Sequence, residues 1–362
     1  DAIAQKKKKD SKKNAPTAVA ASPTDAKKPD VKKPKPYNKV IDSSAVTQKG
    51  LITVHKVADK YLFEVADSLL GKEIMTITRY SKTPAGGGIF GGEEVNRQVV
   101  KFEKGIGDNI LLRSVTYVIT TPNEDSPITK AVENSSADPI IGNFDVMAYN
   151  KDGKTIKSYV FDVTSFFDAD LQSFSLDPIR KQMLNVVAFQ KDKSFIQVIK
   201  SFPVNTEVRS VKTFTTKPPQ ISMSPTPSIG TNFPAALDAG VVTFEMNTSF
   251  ILLPQKPMRK RAFDKRVGYF ANGYSVFEEN SLKAEKDVFA VRWRLEPKNA
   301  EDAEKQKRGE LIEPKKPLVY YIDPATPDKW KSYIKAGIDD WQEAFEFAGW
   351  KNAIRGEYWP EN

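Results

Sequence analysis

The 362-residue sequence has no cysteine and a single histidine, His55. Without Cys it can form no disulfide, thiolate zinc site, iron–sulfur cluster or Cys nucleophile. One imidazole does not furnish the His₃ or His₂Glu ligand sets of zinc hydrolases. No catalytic and no metal-ligating residues are therefore expected within this chain. No run of residues approaches the roughly 18 apolar side chains of a transmembrane helix. The phosphate-binding pattern G-x-x-x-x-G-K-[ST] does not occur.

Anionic balance is missing from one place only. Residues 1–39 carry 12 Lys against 4 Asp, so the net charge of +9 leaves about +1 for the rest. The high isoelectric point belongs to a tail. Residues 1–38 are rich in Lys, Pro, Ala, Ser and Thr, and such a segment buries too little surface to offset its ordering entropy. A disordered spacer is expected there, able to touch an anionic surface. Nucleic acid is not an expected partner, because no aromatic side chain is interleaved with the lysines to stack bases. Ala2-Ile3-Ala4 before Gln5 fits the small-x-small pattern of a signal-peptidase remnant, which implies an exported, periplasmic or cell-surface protein.

What is present in the body is β-pattern. From Leu51 to Phe202, short runs rich in Val, Ile, Thr, Phe and Tyr alternate with turn residues. Strands are expected at Leu51–Val57, Val95–Glu103, Ile110–Thr121, Ile140–Tyr149, Ile156–Val163, Leu184–Gln190, Phe195–Phe202, Glu207–Thr215 and Val241–Leu253. The fold class is α+β, mainly antiparallel β, in a sandwich or barrel-like body. Residues 217–234 form a Pro-rich strap. The expected divisions are the tail, a small β region over 39–100, a β-rich domain over 101–297, a charged linker over 298–316, and a different unit over 317–362.

That last unit opens with an apolar strand, Leu318–Ile322, followed by a helix from Pro327 to Ala348. Thr326 can cap it, Pro327 suits its first turn and Gly349 can close it. Trp330, Ile334, Ile338, Trp341 and Phe345 fall on one stripe; Lys331, Lys335, Asp339, Gln342, Glu343 and Glu346 fall on the opposite arc. Two Trp on a buried face need a large surface opposite. The expected partner for Trp330 and Trp341 is sequence beyond this chain or another chain.

Other motifs are weaker. Gly86, Gly88 and Gly91 spell G-x-G-x-x-G, but Glu93, Glu94 and a strand follow where a helix N-terminus should cradle phosphate. A hairpin loop is expected. His55 lies on a strand and reads as structural. Lys256, Arg259, Lys260, Arg261, Lys265 and Arg266 cluster around Asp264 and read as an exposed loop or a docking surface for an acidic patch.

Several stretches together resemble a bacterial family of zinc-dependent metallopeptidases, in which β-rich domains of unknown function precede a metzincin-like catalytic domain. They are LITVHKVADKYLFEVADSLLGKEIMTITRYS (51–81), FDVTSFF (161–167), MRKRAFDKRVGYFANGYSVF (258–277), VRWRLEP (291–297) and PLVYYIDPATPDKWKSYIKAGIDDWQEAFEFAGWKNAI (317–354). The resemblance implies that residues 317–362 are the first strand and long helix of that catalytic domain. The family's chemistry lies in H-E-x-x-H and a third ligand, where zinc lowers the pKa of bound water to about 7 and the Glu serves as base. No residue here matches that motif. The resemblance therefore implies the N-terminal, non-catalytic portion of an exported zinc peptidase: zinc in the full-length protein, none held by this chain, a peptide or protein substrate. A non-enzymatic surface binding or assembly module is the alternative. A loop over Arg259, Asp264, Arg266 and Tyr269 is expected near the cleft rim, with Asp264 a candidate latch on the metal.

Overall fold

The structure is a computed structural model and describes residues 33–117, 119–121, 125–217, 233–279 and 281–360. The tail through residue 32, with Ala2-Ile3-Ala4, and most of the Pro-rich strap (218–232) lie outside the described residues.

The strands of the body are β1 (Val46–Gln48), β2 (Thr53–Val57), β3 (Lys60–Ala66), β4 (Ile74–Lys82), β5 (Glu94–Lys104), β6 (Asn109–Val115), β7 (Ile119–Thr120), β8 (Ile140–Asp152), β9 (Thr155–Asp162), β10 (Val186–Phe189), β11 (Phe195–Ser201), β12 (Asn205–Thr216) and β13 (Val241–Leu252). All but β7 join one twelve-stranded sheet in the order β1-β2-β3-β9-β8-β6-β5-β4-β13-β12-β10, with β11 also on β12. Every pairing in it is antiparallel.

The sheet curls until its ends nearly meet. Leu51 N–H donates to the Phe202 carbonyl at 2.7 Å, Ser201 Oγ donates to the Ile52 carbonyl at 2.5 Å, and Ile52 N–H donates to Thr206 Oγ1 at 3.3 Å. Gly50 makes this seam possible: a Cβ there would lie 2.6 Å from the Phe202 backbone N and O. The class is α+β with a barrel-like antiparallel body.

Period-two alternation aims one side of each strand inward. In β13, Val242, Phe244, Met246, Thr248 and Phe250 are buried while their neighbours are less so. Phe63, Phe161, Phe167, Phe174 and Phe250 fill the barrel, with Phe174 stacked on Phe250 at 5.8 Å and Phe144 on Phe161 at 4.9 Å. In β3 both faces are covered, from Tyr61 through Val65. Its outer face is closed by a short helix, α1 (Tyr37–Val40), whose Val40 packs with Leu62, Ala148 and Val160.

The boundary expected near residue 100 falls inside β5. Strands from both sides of it share one sheet and one core, so residues 39–100 do not close as a unit of their own. The Gly-rich segment is the loop of the β4–β5 hairpin, with Gly92 N–H on the Tyr80 carbonyl and Gly87 pressed on the Phe233 ring.

Helices α2 (Pro127–Ser135), α3 (Thr164–Phe167), α4 (Pro178–Met183) and α5 (Pro234–Ala239) decorate the body. A second sheet joins β7, β14 (Ala271–Val276) and β15 (Glu285–Ala290). The charged linker holds α6 (Ala300–Lys307), capped by Asn299. The C-terminal unit is a β-α-β arrangement: β16 (Leu318–Ile322), α7 (Asp328–Asp339), α8 (Gln342–Phe347) and β17 (Ile354–Tyr358), with β16 and β17 parallel. The helix expected to run unbroken from Pro327 to Ala348 is thus two. At the junction Trp341 N–H turns to Ile338, three residues back, which tightens the turn.

Candidate functional site

Four places gather chemistry-bearing side chains. The first is the C-terminal unit. The polar arc of its helices, not the apolar stripe, faces the strands. Asp339 Oδ1 accepts from Gly356 N–H at 2.8 Å, and Gln342 Oε1 accepts from Ala353 N–H at 2.9 Å. Gly356 permits the approach, since a Cβ there would lie 3.3 Å from the Lys335 backbone. Lys335 closes an ion pair with Asp339 at 2.5 Å and, with the Gly356 bond, holds that carboxyl below its ordinary pKa. The apolar stripe consequently points away. Trp330, Ile334 and Trp341 are exposed, at 62% for Trp341, and Ile338 and Phe345 are half-buried. Tyr333 and Phe347 extend the apolar surface. A shallow hollow of about 310 Å³ lies among Asp340, Trp341, Glu343, Ala344 and Phe347. Among the described residues no surface covers Trp330 or Trp341, whose expected partner lies outside this chain.

The second place is the cationic loop. Arg266 grips Asp264 through both carboxylate oxygens, at 2.9 Å from Nε and 2.5 Å from Nη2, and its backbone N–H adds a bond at 2.9 Å. These contacts hold the Asp264 carboxyl below the usual range. A latch on a metal would first have to break that fork. Arg259, Arg266 and Tyr269 are exposed. Lys260 instead folds onto Asp287 at 2.6 Å and onto Tyr274.

The third is a buried network the sequence did not disclose. His55 Nε2 meets Glu64 Oε2 at 2.7 Å, and His55 Nδ1 meets Thr47 Oγ1 at 2.7 Å. Tyr37 Oη donates to Glu64 at 2.8 Å, Asn150 Nδ2 donates at 2.8 Å, and Ser158 donates as well. Burial acts to raise the Glu64 pKa, yet the hydrogen bonds from His55, Ser158, Asn150 and Tyr37 outweigh it and bring it down to about 2. Pairwise strand register places His55 across from Leu62 and Thr47, so only the folded pairing reveals the cluster. The arrangement fastens α1 and β1 to the sheet.

The fourth is Lys212 on β12, 1% exposed, which donates to the Ala169 carbonyl at 2.5 Å. Burial pushes its pKa down to about 8, against the opposing pull of Asp170 and Asp168. Those two carboxylates are paired with Lys181 and Lys191.

Among the described residues no group of three or more His, Cys, Asp or Glu side chains is arranged to hold a metal ion. Nor, among them, is any helix long and apolar enough to cross a membrane. Residues 34–83 match a family described as Domain of unknown function (DUF5118). No curated protein and no solved structure matches the chain. Residues 92–298, more than half of the sequence, match the family described as Domain of unknown function (DUF5117), and the chain belongs to that family.

Proposed function

We propose that this chain is the N-terminal, non-catalytic portion of an exported zinc-dependent metallopeptidase, its barrel-like body scaffolding a metzincin-like domain that starts near Pro317. One observation carries the reading: the β-α-β unit turns Trp330, Ile334 and Trp341 outward while its polar arc packs on its own strands. Exposed aromatic surface of this extent on one helix face calls for a covering domain. The stretch that resembles the start of the catalytic domain is the same stretch. The described residues are not arranged to fit a zinc site, and in this reading the metal, the general base and the hydrolytic step belong to residues outside them.

The test compares the protein isolated from its native cells with the purified 362-residue chain. The native protein should carry one zinc per polypeptide by elemental analysis and cleave unfolded protein substrates; the isolated chain should do neither. Stoichiometric zinc and cleavage in the isolated chain would defeat the proposal. A native protein with neither zinc nor cleavage would leave the surface binding module in its place.

A further inference from the structure

We infer that the tip of the cationic loop is a peripheral docking surface for an anionic phospholipid bilayer. Three segments meet at one end of the β14–β15 pair. The Arg261 carbonyl accepts from Ala290 N–H at 2.9 Å, the Phe270 carbonyl accepts from Val291 N–H at 2.8 Å, and Arg292 Nη2 donates to the Arg259 carbonyl at 2.7 Å. The sequence shows these residues far apart; the backbone bonds bring them to one edge.

What they present is a mixture of two signals. Phe270 is 89% exposed and Val267 59%, beside an exposed Tyr269. Around them stand Arg259, Arg261, Lys265 and Arg292, for which no carboxylate lies within ion-pair distance among the described residues. The acidic side chains nearby, Asp264, Asp287 and Glu296, are each already held by Arg266, Lys260 and Arg294. The opposite end of the pair is different in kind: there Glu278, Glu279 and Glu285 stand with Lys283 and Lys286, so that its charges nearly cancel. Charge therefore orients the hairpin, cationic end first, toward an anionic plane.

The protruding apolar tip selects the kind of anion. A small anion or a solvated acidic peptide has no use for a projecting phenyl ring. A bilayer interface takes an aromatic side chain without needing a shaped pocket, and neighbouring cations add attraction to anionic headgroups. Neither signal suffices alone; together they give reversible binding. The inference does not depend on the peptidase reading, since it concerns only the loop.

The full chain is mixed with vesicles of equimolar phosphatidylglycerol and phosphatidylcholine, or of phosphatidylcholine alone, and sedimented at low and high salt. Binding to the anionic vesicles only, weakened by salt, is expected. Arg261→Glu with Lys265→Glu should weaken it roughly tenfold or more, and Val267→Ser with Phe270→Ser severalfold, with unchanged circular dichroism. Arg261→Lys with Lys265→Arg should retain it. A full-length chain with every lysine of residues 1–33 replaced by Gln must still bind. Several results would overturn the inference: no sedimentation, equal binding to neutral vesicles, binding that survives the loop substitutions or vanishes with the tail lysines. So would capture by soluble polyglutamate without capture by vesicles, which would make the partner an acidic polypeptide.

Discussion

Lys212 shows how a single side chain can work against the fold that holds it. Its ammonium is shut away from water with one carbonyl as its hydrogen-bond partner, while Asp168 and Asp170 are occupied by other lysines. A buried charge so poorly compensated disfavours the folded state. The sign follows from linkage. The folded pKa of about 8 lies below the ordinary 10.5, so between these values the unfolded chain keeps a proton that the folded chain has released. Stability from this residue is therefore lowest below pH 8 and recovers as pH rises toward 10.5. Lys212→Met, nearly equal in volume, should remove that dependence. The stability difference between the Met variant and the wild type, from urea unfolding, should shift by roughly 2–3 kcal/mol in favour of the wild type between neutral pH and the upper end of that window. A difference that stays flat with pH would mean that folding does not lower the pKa of Lys212. Glu64 behaves oppositely. With four donors on its carboxylate it stabilises the fold above its ordinary pKa, and the contribution fades as pH falls toward about 2.

At the scale of elements, strands were readable and the long-range meetings between them were not. The run Val241–Leu253 shows inward residues at every second position, and β13 spans Val241–Leu252; Ile140–Tyr149 and Ile156–Val163 are similarly close to β8 and β9. Alternation is a local property, so sequence carries it. Closure of the sheet is not local, because it depends on Leu51 meeting Phe202 across the whole body, and only the missing side chain of Gly50 hints at it. The network around Glu64 stayed hidden for the same reason, as its donors come from positions 37, 55, 150 and 158. In the C-terminal unit, hydrophobic spacing found the helical stripe, but it could not show that the polar arc is the face turned to β16 and β17. Two polar side chains, Asp339 and Gln342, satisfy backbone N–H groups of the segment leading into and through β17, and these bonds outrank apolar pattern over so small a sheet. The orientation has a measurable consequence. Trp341→Ser should change the stability of this chain by less than about 0.5 kcal/mol, whereas Gln342→Ala, which strands the Ala353 N–H, should cost roughly 1–2 kcal/mol. Chemical denaturation followed by hydrogen exchange of the Ala353 and Ile354 amides would separate the two, and a larger penalty at Trp341 would reverse the assigned facing.

For the whole molecule, the two family matches, 34–83 and 92–298, meet in the Gly-rich hairpin loop, yet they do not correspond to two separable bodies. The first stretch contributes β1 through β4. Of these, β3 pairs with β9, and β4 lies between β5 and β13. Each half thus supplies strands to both sides of the other, and Phe63 from the first packs against Phe161, Phe167 and Phe250 from the second. Cutting the chain in the loop between β4 and β5 breaks one covalent connection but no sheet pairing, and Gly86 and Gly88, two of the three Gly residues with positive φ there, lie outside the ladder. A protease site inserted between Gly86 and Gly91 should therefore yield a nicked protein whose pieces elute together on size exclusion and part only in denaturant. The piece beginning at β5, expressed alone, leaves edges of β5, β13 and β9 unpaired and should aggregate; adding the first piece during refolding should restore the native elution volume. If the nicked pieces separated under native conditions, or the larger one folded alone, the shared barrel would have to be divided into two bodies that only touch.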